Sequence, residues 1–226
     1  MSYDKFSRGS ALYNGFNYIY YFIGVNICFI LSNLLFITSM FVLKLEFQNI
    51  IFFIISLIPT GPSITALFSV VGKFIREGDI YPFSDYWSAY KLNFKSTMKI
   101  WIFQLLILMI IAIDIRYLMG AKEISVILYK PLLLISGVII SISTYLYAIL
   151  SRFELKTKDL LILSLLYTFK NLPISVFNMF ILCGVIYFAY FKSPILIPFI
   201  PVIIVYFIMK CLSSTLKEIE KNIIIN

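Results

Sequence analysis

KIWIFQLLILMIIAIDIRYLM, running from Lys99 to Met119, decides the fold class of this protein. Between Lys99 and Asp114 its only polar side chain is Gln104. Crossing the hydrocarbon core of a bilayer, roughly 30 Å thick, takes about 20 mainly apolar residues in a helix. A surface helix of a soluble domain would instead show a polar face. Working outward, the same texture recurs at 16–43, 49–74, 124–150, 172–191 and 193–212, giving six candidate spans with 99–119. Across all 226 residues, 61% are hydrophobic and 13% charged, against about 45–50% and 25% in soluble domains. Lipid must cover the excess. The expectation is an all-α, polytopic membrane helix bundle, one integral-membrane domain over 1–226. It has about six transmembrane helices and one or two cytoplasmic amphipathic helices. Disorder, a disulfide scaffold and a soluble enzyme are excluded.

Lys5 and Arg8 precede the first run as in a signal peptide. That run is too long for an h-region of about 7–15 residues, so it reads as a retained helix. Of the 19 Lys and Arg residues, 14 fall in or beside alternate connections, with five on the other side. Basic residues gather on the cytoplasmic side, so both termini are expected there. The formal charge of +8 then points to anionic lipid headgroups, not to nucleic acid.

Histidine is absent, which removes imidazole from every acid–base, nucleophilic or metal-binding scheme. Cys28, Cys183 and Cys211 stand alone in apolar stretches, reading as small buried hydrophobes, without the C-x-x-C spacing of redox or zinc sites. Neither a cofactor nor a metal is expected.

Phe83, Tyr86, Trp87, Tyr90 and Phe94 recur at spacings of three and four, placing five aromatics on one helical face. Lys91, Lys95 and Lys99 follow at i,i+4 along its flank. This pattern predicts an interfacial helix at about 83–96, begun by Pro82 and Asp85, with rings at headgroup depth and lysines reaching for phosphate. It reads either as a lipid anchor or as a docking face for a partner. Residues 157–170 form a second such helix, capped by Thr157 or Asp159 and leading into the fifth span near Pro173.

Several polar positions interrupt the runs. Asn26 and Asn33 share a face of the first span and can bond a neighbouring helix. Pro59, Thr60, Gly61, Pro62, Ser63 and Thr65 break the second, freeing carbonyls that protein or a water-filled cavity must satisfy. Asp114 and Arg116 lie late in the third, too close in sequence to face each other. Gly137, Ser141, Thr144 and Ala148 make a small-residue packing seam in the fourth.

The stretch Gly61-Pro62-Ser63-Ile64-Thr65-Ala66-Leu67 resembles the G-P-x-x-A-A-L motif of the YesL-like family of small bacterial membrane proteins. Residues 83–95 are similar to that family's F-x-D-F-F-x-x-F-K-x-N-F-K segment. Asn33-Leu34-Leu35, Asp114 and Arg152-Phe153 match as well. Thr65 stands where alanine is usual, and Glu77-Gly78 replaces the commoner Arg-Gly. The resemblance implies a multi-pass protein of the bacterial plasma membrane, often encoded near carbohydrate ABC-uptake systems. The expected function is therefore non-enzymatic, as an accessory partner of a carbohydrate ABC permease. The alternative is a small carrier or channel with a cavity at the broken second helix. Intramembrane proteolysis lacks the residues it needs, since Asp114 is the only acid inside a span and aspartyl chemistry takes two.

Overall fold

The computed structural model describes residues 11–44, 46–120, 125–191 and 200–225. Among them every regular element is helical. They are α1 (Ala11–Ser32), α2 (Leu34–Val42), a 3-10 turn (Phe47–Asn49), α3 (Ile50–Leu57), α4 (Thr60–Glu77), α5 (Pro82–Gly120), α6 (Ser125–Leu150), α7 (Thr157–Lys170), α8 (Leu172–Phe191) and α9 (Pro201–Ile225). Three stretches are long and apolar enough to cross a membrane: Ile50–Glu77, Pro82–Leu118 and Tyr129–Leu150. Two bent pairs, Phe16–Ser32 with Leu34–Val42 and Thr157–Lys170 with Leu172–Leu182, bring the number to five if each is one span. The chain is a helical membrane protein.

α4 and α6 form the centre. α4 buries Gly61 to Ser63, Thr65 to Phe68 and Val70 to Gly72, and α6 buries every residue from Ser143 to Leu150. α5 makes its largest interface with α4, yet its apolar stretch leaves Phe103, Leu106 and Ile110 exposed. In lipid that exposure carries no penalty, because acyl tails are as apolar as leucine.

Four expectations need correction. First, 83–96 is not a separate interfacial helix but the opening of the continuous 39-residue α5. No glycine or proline occurs from Phe83 to Met119, so nothing stops the helix where hydropathy changes. At 1.5 Å per residue α5 is about 58 Å long, nearly twice the hydrocarbon core.

Second, the 16–43 run is not one helix. Its two parts, α1 and α2, meet at 69° at Asn33, whose Nδ2 donates to the Phe29 carbonyl at 2.8 Å. The Asn33 backbone N–H is shared between the Phe29 and Ile30 carbonyls. A side chain that competes for the i−4 carbonyl weakens the backbone ladder there.

Third, α7 has the expected bounds, but Lys156 precedes it and no side chain caps it. It buries Leu160, Ser164, Tyr167 and Thr168 while Leu161, Leu165 and Phe169 face outward. It then turns by 96° into α8. Fourth, the last helix starts at Pro201 and continues past residue 212 to Ile225. Lys5, Arg8, Lys122, residues 192–199 and the Cys183 side chain lie outside what is described.

Candidate functional site

The break between α3 and α4 is packed, not open. The Trp101 ring of α5 lies against Gly61, and its Nε1 donates to the Leu57 carbonyl at 2.8 Å. Glycine is required by this close approach: a Cβ at position 61 would come within 2.5 Å of Trp101 Cβ and 2.7 Å of Cδ1. The Ser63 hydroxyl donates to the Pro59 carbonyl at 2.7 Å, and that of Thr65 to the Gly61 carbonyl. Thr97 donates to Thr65 Oγ1 across the α4–α5 interface at 3.1 Å. Pro62, Ser63, Thr65 and Thr97 are buried, and Pro59 is half-buried. The Thr60 hydroxyl and the Asn33 side-chain oxygen are buried without a hydrogen-bond partner among the described residues.

The predicted aromatic face divides. Tyr86 is fully buried; its hydroxyl lies 2.8 Å from Ser32 Oγ and donates to the Ser63 carbonyl. It is therefore a core residue joining α1 to α4, which corrects its expected place on an outer face. Trp87 and Tyr90 are half-buried against the core, and their rings meet edge-on. Phe83, Lys91, Phe94 and Lys95 are exposed. The spacing locates one stripe correctly; what it could not tell is that α1 and α4 cover half of it.

Asp114 is exposed on α5 and has no ion pair among the described residues. The seam on α6 is internal: Gly137 is buried with Met179 of α8 against it, and Ser141, Thr144 and Ala148 are buried. Asn26 is buried on α1, next to the buried Val25.

The polar side chains concentrate where α4 ends and α9 passes. Lys73 binds both Asp85 oxygens at 2.9 Å, and Asp85 also accepts from the Tyr81 backbone N–H. That carboxylate in the first turn of α5 is the one read from the sequence, and it suits a helix N-terminus. Tyr21 donates to Asp79, and Lys170 pairs with Glu218. The Arg152 guanidinium, 14% exposed, pairs with Glu220 at 2.6 Å.

Beside that pair lies a cavity of about 570 Å³. Arg76, Arg152, Lys217 and Lys221 line it together with Glu220. Gly72, Ile75, Met209 and Leu216 supply an apolar wall. Arg76 has no ion-pair partner among the described residues, and Arg152, Glu77 and Glu220 are its charged neighbours. Four cations and one carboxylate thus line the cavity.

Residues 22–115 match the family described as Protein of unknown function, DUF624. They belong to it. This is the YesL-like family that the motifs resemble. No curated protein and no solved structure matches the chain. The DUF624 stretch holds the packed break, Trp101, Tyr86 and Arg76, whereas Arg152, Lys217 and Glu220 lie beyond it. Sequence alone does not bring these cavity residues together, because they come from α4, the end of α6 and α9. Their spacing carries the signal: Lys217, Glu220 and Lys221 stand at i, i+3 and i+4, one face of a helix.

Proposed function

We propose that the protein is a non-enzymatic accessory subunit of a bacterial plasma-membrane uptake system, of the carbohydrate ABC type that the family resemblance suggests. One observation supports it above the others. α5 carries Pro82–Lys99, a segment of about 27 Å, beyond the apolar stretch that begins at Ile100. With α1 and α4 packed on it, that segment still exposes Leu92, Phe94, Lys91 and Lys95. Such a mixed strip, held rigid outside the lipid, suits contact with a partner subunit.

In this reading the chain crosses six times, at 16–43, 49–74, 99–119, 124–150, 172–191 and with α9 last, and both termini are cytoplasmic. The 14-to-5 distribution of basic residues favours that orientation. The carrier alternative needs space near Thr60, Ser63 and Asn33. The Trp101 ring against Gly61 counts against it.

The test is a photoactivatable residue at Leu92 or Phe94 in native membranes, with captured proteins identified. Recovery of permease subunits from both positions supports the accessory role. Lipid adducts alone from both positions refute it.

A further inference from the structure

We propose that the cavity between α4, the end of α6 and α9 binds a phosphorylated polyol, its phosphate held by Arg76 and Arg152 and its carbon skeleton lying over Ile75, Met209 and Leu216. The cavity, about 570 Å³, falls within the roughly 300–1,000 Å³ typical of ligand pockets. Its wall is divided, cationic on one side and apolar on the other. A free inorganic anion would leave the apolar half unused, and an uncharged sugar would leave the cations unanswered.

One of the two arginines is not spent on an ion pair. Lys73 and Lys170 are each engaged by a carboxylate at this end of the bundle, and Arg152 is engaged by Glu220. Arg76 is in no ion pair among the described residues. Gly72, one turn earlier, leaves room for it: a Cβ there would sit 3.2 Å from Arg76 Nη1 and 2.7 Å from Met209 Cε. Guanidinium groups match phosphate oxygens with two parallel N–H donors, and two of them meet here. Arg152 is held in place by Glu220, so its remaining donors are already oriented. Lys217 and Lys221, both exposed, add further positive charge to the lining.

A phosphorylated polyol can reach the cavity as the headgroup of an anionic phospholipid or as a soluble sugar phosphate. The chemistry of recognition is shared, and the experiment separates the sources. Full-length protein, stripped of lipid in a neutral detergent, is titrated with phosphatidylglycerol in mixed micelles and separately with glycerol phosphate. Sodium chloride at matched ionic strength serves as the control. Thermal stability and native mass spectrometry are the readouts.

Saturable stabilisation by either probe above the chloride control is expected, and the probe that achieves it identifies the source. Arg76→Gln should weaken the apparent affinity at least about tenfold, as for loss of one charge-assisted contact. The double replacement Lys217→Gln with Lys221→Gln, at exposed positions that leave the core intact, should weaken it as well. No stabilisation by either probe, or titrations of both variants that overlay the wild type, overturns the proposal. The accessory role stands or falls separately, on the crosslinking at Leu92 and Phe94.

Discussion

Replacing Gly61 with alanine places a methyl group where the Trp101 side chain now lies, within 2.5 Å of its Cβ and 2.7 Å of its Cδ1. Those atoms belong to the root of a large ring, not to the far end of a flexible chain, so relief requires moving Trp101 or separating α4 from α5. Overpacking of this kind costs about 1–3 kcal/mol. Displacing the ring also strands the Trp101 N–H and the Leu57 carbonyl, now 2.8 Å apart, for about 1–3 kcal/mol more. Alanine returns about 1 kcal/mol through its better helix propensity. The net loss centres on about 3 kcal/mol, or roughly 6–12 °C in melting temperature for a chain of this size.

The assay is thermal unfolding of purified protein in detergent, followed by aggregation and by tryptophan emission. Gly184→Ala is the control, since nothing among the described residues lies within 4 Å of a Cβ there; it should melt no lower than the wild type. A double-mutant cycle gives the decisive comparison. In a Trp101→Leu background, most of the Gly61→Ala loss should disappear. An equal loss in both backgrounds, or a Gly61→Ala melting point within about 2 °C of the wild type, would mean that glycine is not there to admit the ring.

Three other perturbations follow from the geometry. Asn178 is fully buried and neither amide atom has a hydrogen-bond partner among the described residues, so Asn178→Leu should stabilise by about 1–3 kcal/mol, seen as a higher melting temperature. Tyr86→Phe removes the hydroxyl shared with Ser32 and Ser63 while keeping the ring, and should cost about 0.5–1.5 kcal/mol in the same assay. In a background with Cys28, Cys183 and Cys211 replaced by alanine, a membrane-impermeant maleimide should label Leu92→Cys in inside-out vesicles. Ile110→Cys should stay unlabelled in vesicles of either orientation, because lipid covers it.

The apolar runs were readable because their signal is local. Ser125–Leu150 and Leu172–Phe191 match their expected bounds within a residue, as does Thr157–Lys170. What escaped the sequence was set by partners distant in the chain. Pro59 to Thr65 announces a break, but whether it opens or closes depends on Trp101, forty positions beyond Gly61. The stripe from Phe83 to Phe94 announces an aromatic face, yet Ser32 and Ser63 decide that Tyr86 belongs inside. One signal for the long helix is local: glycine and proline are absent from Phe83 to Met119, across the change in hydropathy at Lys99. Asn33 shows the converse, a residue read as interhelical glue whose side chain turns back onto its own helix.

α5 also has a mechanical meaning. It is a single unjointed rod, and two of its ties, Thr97 to Thr65 of α4 and Trp101 to Leu57 of α3, sit close to its midpoint. A rod fastened near its middle behaves as a lever: with an arm of about 27 Å, a 5° change of inclination at the lipid-covered end displaces the Pro82 tip by roughly 2 Å. That tip rests on Gly24 of α1 and carries Asp85, which grips Lys73. Any tilt of α5 therefore acts on the Lys73–Asp85 pair.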